Sequence, residues 1–134
     1  MSRVPAVREI YAAFARGETP AILEKLSDSV EWEYGLAQNG VPWLQPRRGR
    51  QGAKEFFESL GALEFHKFVP KVMLEAPGVV VVLLDLEVTV KATGRRIVEE
   101  DERHIWHFDG DGQVVRFRHL VDSYQHAMAH RRDG

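Results

Sequence analysis

The chain has 134 residues, 44% hydrophobic and 28% charged, which is typical of one globular domain and excludes a disordered segment. A formal net charge of −2 leaves no basic excess, so we do not expect a nucleic-acid partner. Cysteine is absent, which excludes disulfides, thiol nucleophiles and zinc–thiolate sites and agrees with a reducing compartment.

The shortness of the hydrophobic stretches argues against a membrane protein. The longest apolar run, Val79 to Leu84, is far shorter than the roughly 20 residues of a transmembrane helix. The N-terminal segment carries Arg3, Arg8 and Glu9 and has no apolar stretch typical of a secretory leader. We therefore expect a single cytoplasmic domain over residues 1–134 with no membrane partner.

The first part of the chain has the periodicity of helices. Apolar residues recur at helical spacing from Val4 to Phe14, and Gly17 ends the pattern. Thr19 before Pro20 predicts the N-cap and first residue of a second helix.

From Asp28 to Tyr34 the period changes to two, which predicts a half-buried strand. Strict alternation puts Trp32 and Tyr34 on its inner face and the intervening acids, Glu31 and Glu33, towards solvent.

Residues 35–51 have the composition of a long loop, with several glycines and prolines. Loops of this length often cover a binding site, so we expect this one over a pocket mouth, with Trp43 either closing the pocket or anchoring the loop. Arg47, Arg48 and Arg50 form a small basic cluster that either meets an anion or is exposed. Phe56 and Phe57 belong to a predicted third helix.

The second half of the chain alternates strand-like stretches with tight turns. Four strands are predicted: Glu64–Leu74, Val79–Val90, Arg96–Phe108 and Val114–Val121. Residues 123–134 are predicted as a C-terminal helix and polar tail. This order, α-α-β-α-β-β-β-β, predicts an α+β fold in which three helices pack on the concave face of a curved antiparallel sheet.

Several segments also carry a family resemblance. They are Val7–Phe14 with Gly17-Glu18, Leu26-Ser27-Asp28, Gly49–Ala53 with Phe56-Phe57, Ala92–Arg95, and Asp111–Val115 before Asp122. Over Val4 to Tyr124 the chain resembles the nuclear transport factor 2-like superfamily, in particular its SnoaL-like group of polyketide cyclases related to ketosteroid isomerases. The resemblance implies a cone-shaped half-barrel with a small-molecule pocket, and it identifies the fold better than the reaction.

The known catalytic patterns of these relatives are not met. The resemblance places the general-base Asp of the isomerases near Tyr34, and the Tyr-x-Asn pair of related epoxide hydrolases at Trp32 and Tyr34. A Tyr with an ordinary pKa near ~10 is no carboxylate base, so the ketosteroid mechanism is not expected.

Two histidines take positions that the resemblance implies are functional. His104 falls where the isomerases keep a protonated oxyanion-hole Asp, and His119 where the cyclases and epoxide hydrolases keep an acid. Since the Asp-Gly turn makes their strands neighbours, we expect them on one face, as candidate catalytic residues if their pKa values are pushed apart. A purely structural role for both is the alternative.

Aromatic side chains are expected to line the same pocket. The predicted lining is Tyr11, Trp32, Tyr34, Trp43, Phe57, Trp106 and Phe117.

No metal site is predicted. His126 and His130 have an i, i+4 spacing but no third ligand, so a solvated terminal helix is favoured. Strict alternation divides the acidic run Glu99 to Glu102 between the two faces. Asp85 and Glu87 are expected on the outer face, although the resemblance to epoxide hydrolases leaves the pocket as an alternative.

The expected function is therefore acid/base catalysis without metal or organic cofactor on a small apolar substrate, of the isomerase, cyclase, dehydratase or epoxide hydrolase type. A ligand-binding module without turnover and a dimerisation module remain alternatives. The resemblance and the apolar strand Val79–Val90 also predict a homodimer.

Overall fold

The computed structural model describes residues 2–34 and 40–131 of the chain. The helices are α1 (Val4–Ala15), α2 (Thr19–Leu23), α3 (Gly49–Ser59) and α4 (Ser123–His130), with single 3-10 turns at Pro42–Leu44 and Leu60–Ala62. The strands are β1 (Leu26–Trp32), β2 (Arg47–Arg48), β3 (Leu63–Ala76), β4 (Val79–Val90), β5 (Arg96–Phe108) and β6 (Val114–Leu120).

The strands form one curved, unclosed sheet with the order β2-β1-β6-β5-β4-β3. Neighbouring strands are antiparallel except β1 and β6, which pair in parallel. The predicted α+β class and curved sheet are confirmed. Among the described strands, the β1–β6 pair departs from the predicted antiparallel pairing, because β6 reaches the side of β1 only after β3, β4 and β5 and runs in the same direction.

Alternation along β4 shows which face of the sheet is covered. Even-numbered residues from Val80 to Val90 are buried, whereas Asp85 and Glu87 lie between them on the opposite, convex face, as expected. Aromatic side chains fill much of the core: Trp32, Phe56, Trp106 and Phe117 are buried, and Tyr11 and Phe57 are partly buried.

From residue 40 onwards, the predicted 35–51 loop contains more regular structure than its composition indicates. Residues 35–39 lie outside the described part. Trp43 sits in a 3-10 turn and is buried, Arg48 pairs with Glu31 of β1, and α3 begins already at Gly49. The burial of Trp43 favours the anchoring alternative for this residue.

The terminal helix α4 packs against the protein, so the predicted solvated helix is wrong. The Asp122 side chain caps it by accepting from the backbone N–H of Gln125 at 3.1 Å. At its other end Thr93 donates to the carbonyl of Ala129 at 2.6 Å, and Arg95 donates to that of Met128 at 2.9 Å.

In the described ranges, the longest helix has 12 residues, and none combines the length and apolar character that crossing a bilayer requires.

Candidate functional site

A cavity of about 70 Å³ lies between the concave face of the sheet and the helices α1 and α3. Its lining is mostly aromatic: Tyr11, Phe14, Trp32, Trp43, Phe56, Phe57, Phe65, Phe68, Trp106 and Phe117. Four ionisable side chains interrupt this lining, namely Glu102, His104, His119 and His126. Such a mixture of an apolar wall and a few polar groups is characteristic of small-molecule sites.

Six of the seven predicted aromatic lining residues face this cavity, and Tyr34 does not. Its hydroxyl lies 2.8 Å from Nε2 of His107, and the Arg116 guanidinium lies 3.8 Å from the centre of its ring. His107 alternates with the inward-facing Trp106, so both partners belong to the convex side of the sheet.

Glu33 takes the inward place that was predicted for Tyr34. Its φ of 58° puts it in the left-handed region, which breaks the alternation directly after β1. Trp32 and Glu33 therefore both point inwards, and Glu33 is completely buried (0% exposed). The expectation of a solvent-facing Glu33 is wrong, and no local sequence signal marks this reversal.

Glu33 pairs with His119, one of the two predicted catalytic histidines. Its Oε1 accepts from the backbone N–H of His119 at 3.0 Å and from the ring Nδ1–H. Burial disfavours a charged ring, but the Glu33 carboxylate outweighs it and raises the pKa of His119 to about 9. His119 is thus an imidazolium at neutral pH, and its Nε2 has no hydrogen-bond partner within residues 2–34 and 40–131.

The second histidine, His104, lies directly opposite His119 across the β5–β6 pair, with ring centres 5.8 Å apart. This juxtaposition is the one that the sequence predicted. Both ring nitrogens of His104 have hydrogen-bond partners. Nδ1 lies 2.6 Å from the Tyr11 hydroxyl, and Nε2 lies 2.8 Å from Oε2 of Glu102.

The protons along this chain follow from the state of His104. Because His104 is neutral and donates its Nε2–H to the Glu102 carboxylate, its Nδ1 accepts from the Tyr11 hydroxyl, whose oxygen in turn accepts from the Trp106 indole N–H at 3.0 Å. Burial lowers the pKa of His104 and raises that of Tyr11.

Glu102 stays ionised in this arrangement. Burial works against the charge, but the hydrogen bond from His104 and the nearby histidines lower the pKa of the carboxyl group. Its second oxygen, Oε1, is buried and has no hydrogen-bond partner in the described part of the chain.

A bulge in β5 brings Glu102 and Glu99 to the same face. Glu102 pairs with Leu84 and Glu99 with Leu86, so two residues of β5 lie opposite Asp85 alone. One of them, Asp101, has a φ of 61°. The expected division of the acidic run between two faces is therefore wrong at Glu99 and Glu102.

Glu99 forms a third carboxylate–histidine pair, with His126 of α4. Its Oε2 lies 2.6 Å from Nε2 of His126, and its Oε1 accepts from the backbone N–H of Asp122 at 2.8 Å. The Trp43 indole donates to Nδ1 of His126 at 2.9 Å. His126 is only 2% exposed, whereas its i, i+4 neighbour His130 contacts the Trp43 ring and does not join this pair.

Glu99, Glu102 and His126 offer ligand atoms within 4.8 Å of one another, a cluster that the sequence analysis missed. A metal would need a lone pair on Nε2 of His126. Because the Trp43 N–H occupies the lone pair of Nδ1, the ring proton lies on Nε2 and points to Glu99. As hydrogen-bonded here, His126 offers the cluster an N–H donor and not the lone pair that a metal ion needs.

Comparison with known proteins agrees with the fold that holds this cavity. A family model described as a SnoaL-like domain matches residues 7–117. The chain belongs to the SnoaL-like family. No curated protein matches the sequence significantly.

Solved structures with the same fold cover nearly the whole chain. An NTF2-like protein of unknown function from Burkholderia pseudomallei is 26% identical with a TM-score of 0.80, covering 96% of this chain and 98% of its own. A candidate polyketide cyclase from Pseudomonas putida is 16% identical (TM-score 0.76; 96% and 98% covered). TerC, co-crystallised with polyporic acid, is 23% identical (TM-score 0.74; 95% and 96% covered).

Within this SnoaL-like cavity the buried groups are in opposite protonation states. His119 carries a proton, Glu102 is a carboxylate, and neither Nε2 of the first nor Oε1 of the second has a hydrogen-bond partner among the described residues. One group can donate a proton to a bound molecule and the other can accept one, which is the elementary requirement of acid–base chemistry.

Proposed function

We propose that this protein binds a small, largely apolar molecule in the cavity and catalyses a proton transfer on it without metal or organic cofactor. The observation that carries the proposal is the juxtaposition of two carboxylate–histidine pairs, Glu33–His119 and Glu102–His104, on adjacent strands beside one aromatic cavity. Isomerisation, cyclisation, dehydration and epoxide opening all use proton transfer to or from a positioned acid or base, which these pairs can supply.

His119 is the proposed general acid. Its Nδ1–H is held by Glu33, which fixes the ring, and its Nε2–H is available to an oxygen of the bound molecule. After donating that proton the ring becomes neutral, and the Glu33 carboxylate favours taking a proton back.

Glu102 is the proposed base, and His104 acts through it. Because both nitrogens of His104 are occupied by Tyr11 and Glu102, His104 is a positioning residue rather than a group that touches the substrate. Its Nε2–H orients the carboxylate and keeps it ionised, so that Oε1 can accept a proton.

The family supports this proposal. Solved structures with the same fold include a candidate polyketide cyclase and TerC with polyporic acid, so small carbon skeletons are reasonable substrates by analogy. The cavity of about 70 Å³ is small beside the ~300–1,000 Å³ of typical ligand sites. A larger substrate therefore needs movement of the half-exposed aromatic rim, such as Phe57.

Solvent deuterium exchange tests the proposal without knowledge of the product. A panel of small aryl ketones, with and without an α-amino group, is incubated in D₂O and the loss of the proton next to the carbonyl is followed by NMR. We expect wild-type protein to accelerate exchange on some members, and Glu102→Gln and His119→Gln each to slow it about 100-fold. His107→Gln, on the convex face, is the matched control and leaves the rate unchanged.

A positioning role for His104 has its own signature. His104→Gln raises the pKa of Glu102, so the acidic limb of the pH–rate profile moves to higher pH, a change that a mere loss of folded protein does not cause. If panel members bind but none of them exchanges its proton faster with the protein, catalysis is contradicted and the ligand-binding module is favoured.

We also propose a homodimer and a cytoplasmic location for the protein. The first is tested by the mass in solution discussed below, and the second by imaging a tagged chain in cells.

A further inference from the structure

The buried groups around the cavity carry an imbalance of charge. In the described residues, six ionisable side chains are buried: Glu33, Glu99, Glu102, His104, His119 and His126. Every bonded oxygen of the three glutamates accepts, as a carboxylate oxygen does, and the bonds leave His104 and His126 neutral. With the glutamates as carboxylates, three negative charges are buried beside one imidazolium, an excess of two.

Among residues 2–34 and 40–131, no cationic side chain besides His119 faces the cavity to compensate this excess. No lysine or arginine belongs to the described lining of the cavity. Arginines of β5 and β6, such as Arg103 and Arg118, alternate with inward-facing residues and lie on the convex side. Excess charge in a buried site is costly, and a bound cation relieves that cost.

The apolar walls suit a cation as well. Trp32, Trp106 and Tyr11 present aromatic rings to the cavity, and the faces of such rings attract ammonium groups. Glu102 is only 4% exposed, and its Oε1 lacks a partner in the described chain, so an N–H donor would satisfy it.

From these contacts we infer that the natural ligand carries a positive charge, as a protonated amine on a small apolar or aromatic body. The inference rests on the proposed function, because it assigns a substrate class to the same cavity. A metal ion is the less suitable cation, since the Trp43 indole keeps the proton of His126 on the nitrogen that a metal would need. A cationic substituent also acidifies neighbouring C–H and N–H groups, which helps a carboxylate base.

Binding of two ligands of equal shape tests the inference. Benzylammonium and benzyl alcohol are titrated into the protein at pH 7, with calorimetry for affinity and NMR of the histidine rings for location. We expect benzylammonium to bind at least about ten-fold more tightly and to shift the His104 and His119 signals. Glu102→Gln should reduce this preference to about three-fold or less. Glu100→Gln removes an exposed carboxylate from the same strand and should keep the preference.

Each other outcome overturns the inference. Equal or tighter binding of benzyl alcohol contradicts a cationic ligand but leaves catalysis on neutral molecules standing, as judged by deuterium exchange. No binding of either ligand also contradicts it. If Glu102→Gln does not fold, the test is decided by the wild-type protein alone, from the two ligand affinities and from the histidine NMR signals that locate the bound ligand.

Discussion

His119 and Glu33 form a buried ion pair whose contribution to stability depends on pH. The pKa of His119 is about 9 in the folded chain against its ordinary value of 6.5. A raised pKa means that the stabilisation is complete below pH 6.5 and disappears as the pH rises through 9. His104 has the opposite sign, because its lowered pKa costs stability as the pH falls below 6.5.

Urea denaturation of wild type and Glu33→Gln across pH measures this contribution. We expect the difference in unfolding free energy to shrink by about 2–3 kcal/mol between pH 6.5 and 9.5, since each pKa unit corresponds to about 1.4 kcal/mol. A difference that stays constant over this range contradicts the ion pair.

Single residues mark the limit of prediction from this sequence. Strict alternation correctly places Trp32, His104 and His119 inside, because their strands are regular at these positions. It fails at Glu33 and Tyr34, because one left-handed residue exchanges their faces. A glutamate in the sequence does not indicate a left-handed conformation. The conformation of Glu33 accompanies the contacts of its buried carboxylate with His119, which is distant in the sequence.

Strand β5 also contains a left-handed residue that breaks the predicted alternation, here within a whole element. Its ends and length are predicted from the sequence, but its bulge is not, so the Glu99–Glu102–His126 cluster is absent from the sequence interpretation. Asp101 occupies the left-handed position, which aspartate tolerates better than most residues. On the convex face Lys71 bridges Asp101 at 2.7 Å and Asp85 at 2.8 Å.

Two substitutions at Asp101 separate backbone strain from the ion pair. Asp101→Asn loses the half-exposed contact with Lys71 but tolerates the left-handed conformation, and should cost less than about 1 kcal/mol. Asp101→Val loses the same contact and is strained, so it should cost about 1–2 kcal/mol more and shift the His104 ring signals. Equal stability of the two variants in urea denaturation would show that the bulge does not depend on this residue.

The convex face of the sheet is the feature that bears on assembly of the whole molecule. The register places Leu74, Val81 and Ile105 in one row and Val72 with Leu83 in the next, away from the cavity. Leu74 is 56% exposed. An apolar surface of this kind agrees with the homodimer that the family resemblance predicts.

Sedimentation tests the homodimer. We expect twice the chain mass at micromolar concentration, and Leu74→Asp should shift the population towards monomer, because a stable interface of ~1,200–2,000 Å² does not accept a buried charge. Gln51→Asp adds the same charge on α3 and should leave the dimer intact. A wild-type mass equal to one chain would refute the dimer.

The central claim is that His104 and His119 share a cavity in opposite protonation states, and nitrogen NMR of the two imidazole rings tests it most directly. At pH 7 we expect His119 to be protonated on both nitrogens and to titrate with a pKa near 9. His104 should be neutral, with its proton on Nε2 and a lowered pKa. The account is contradicted if both rings titrate near 6.5 as free histidines do, or if His104 is the charged partner.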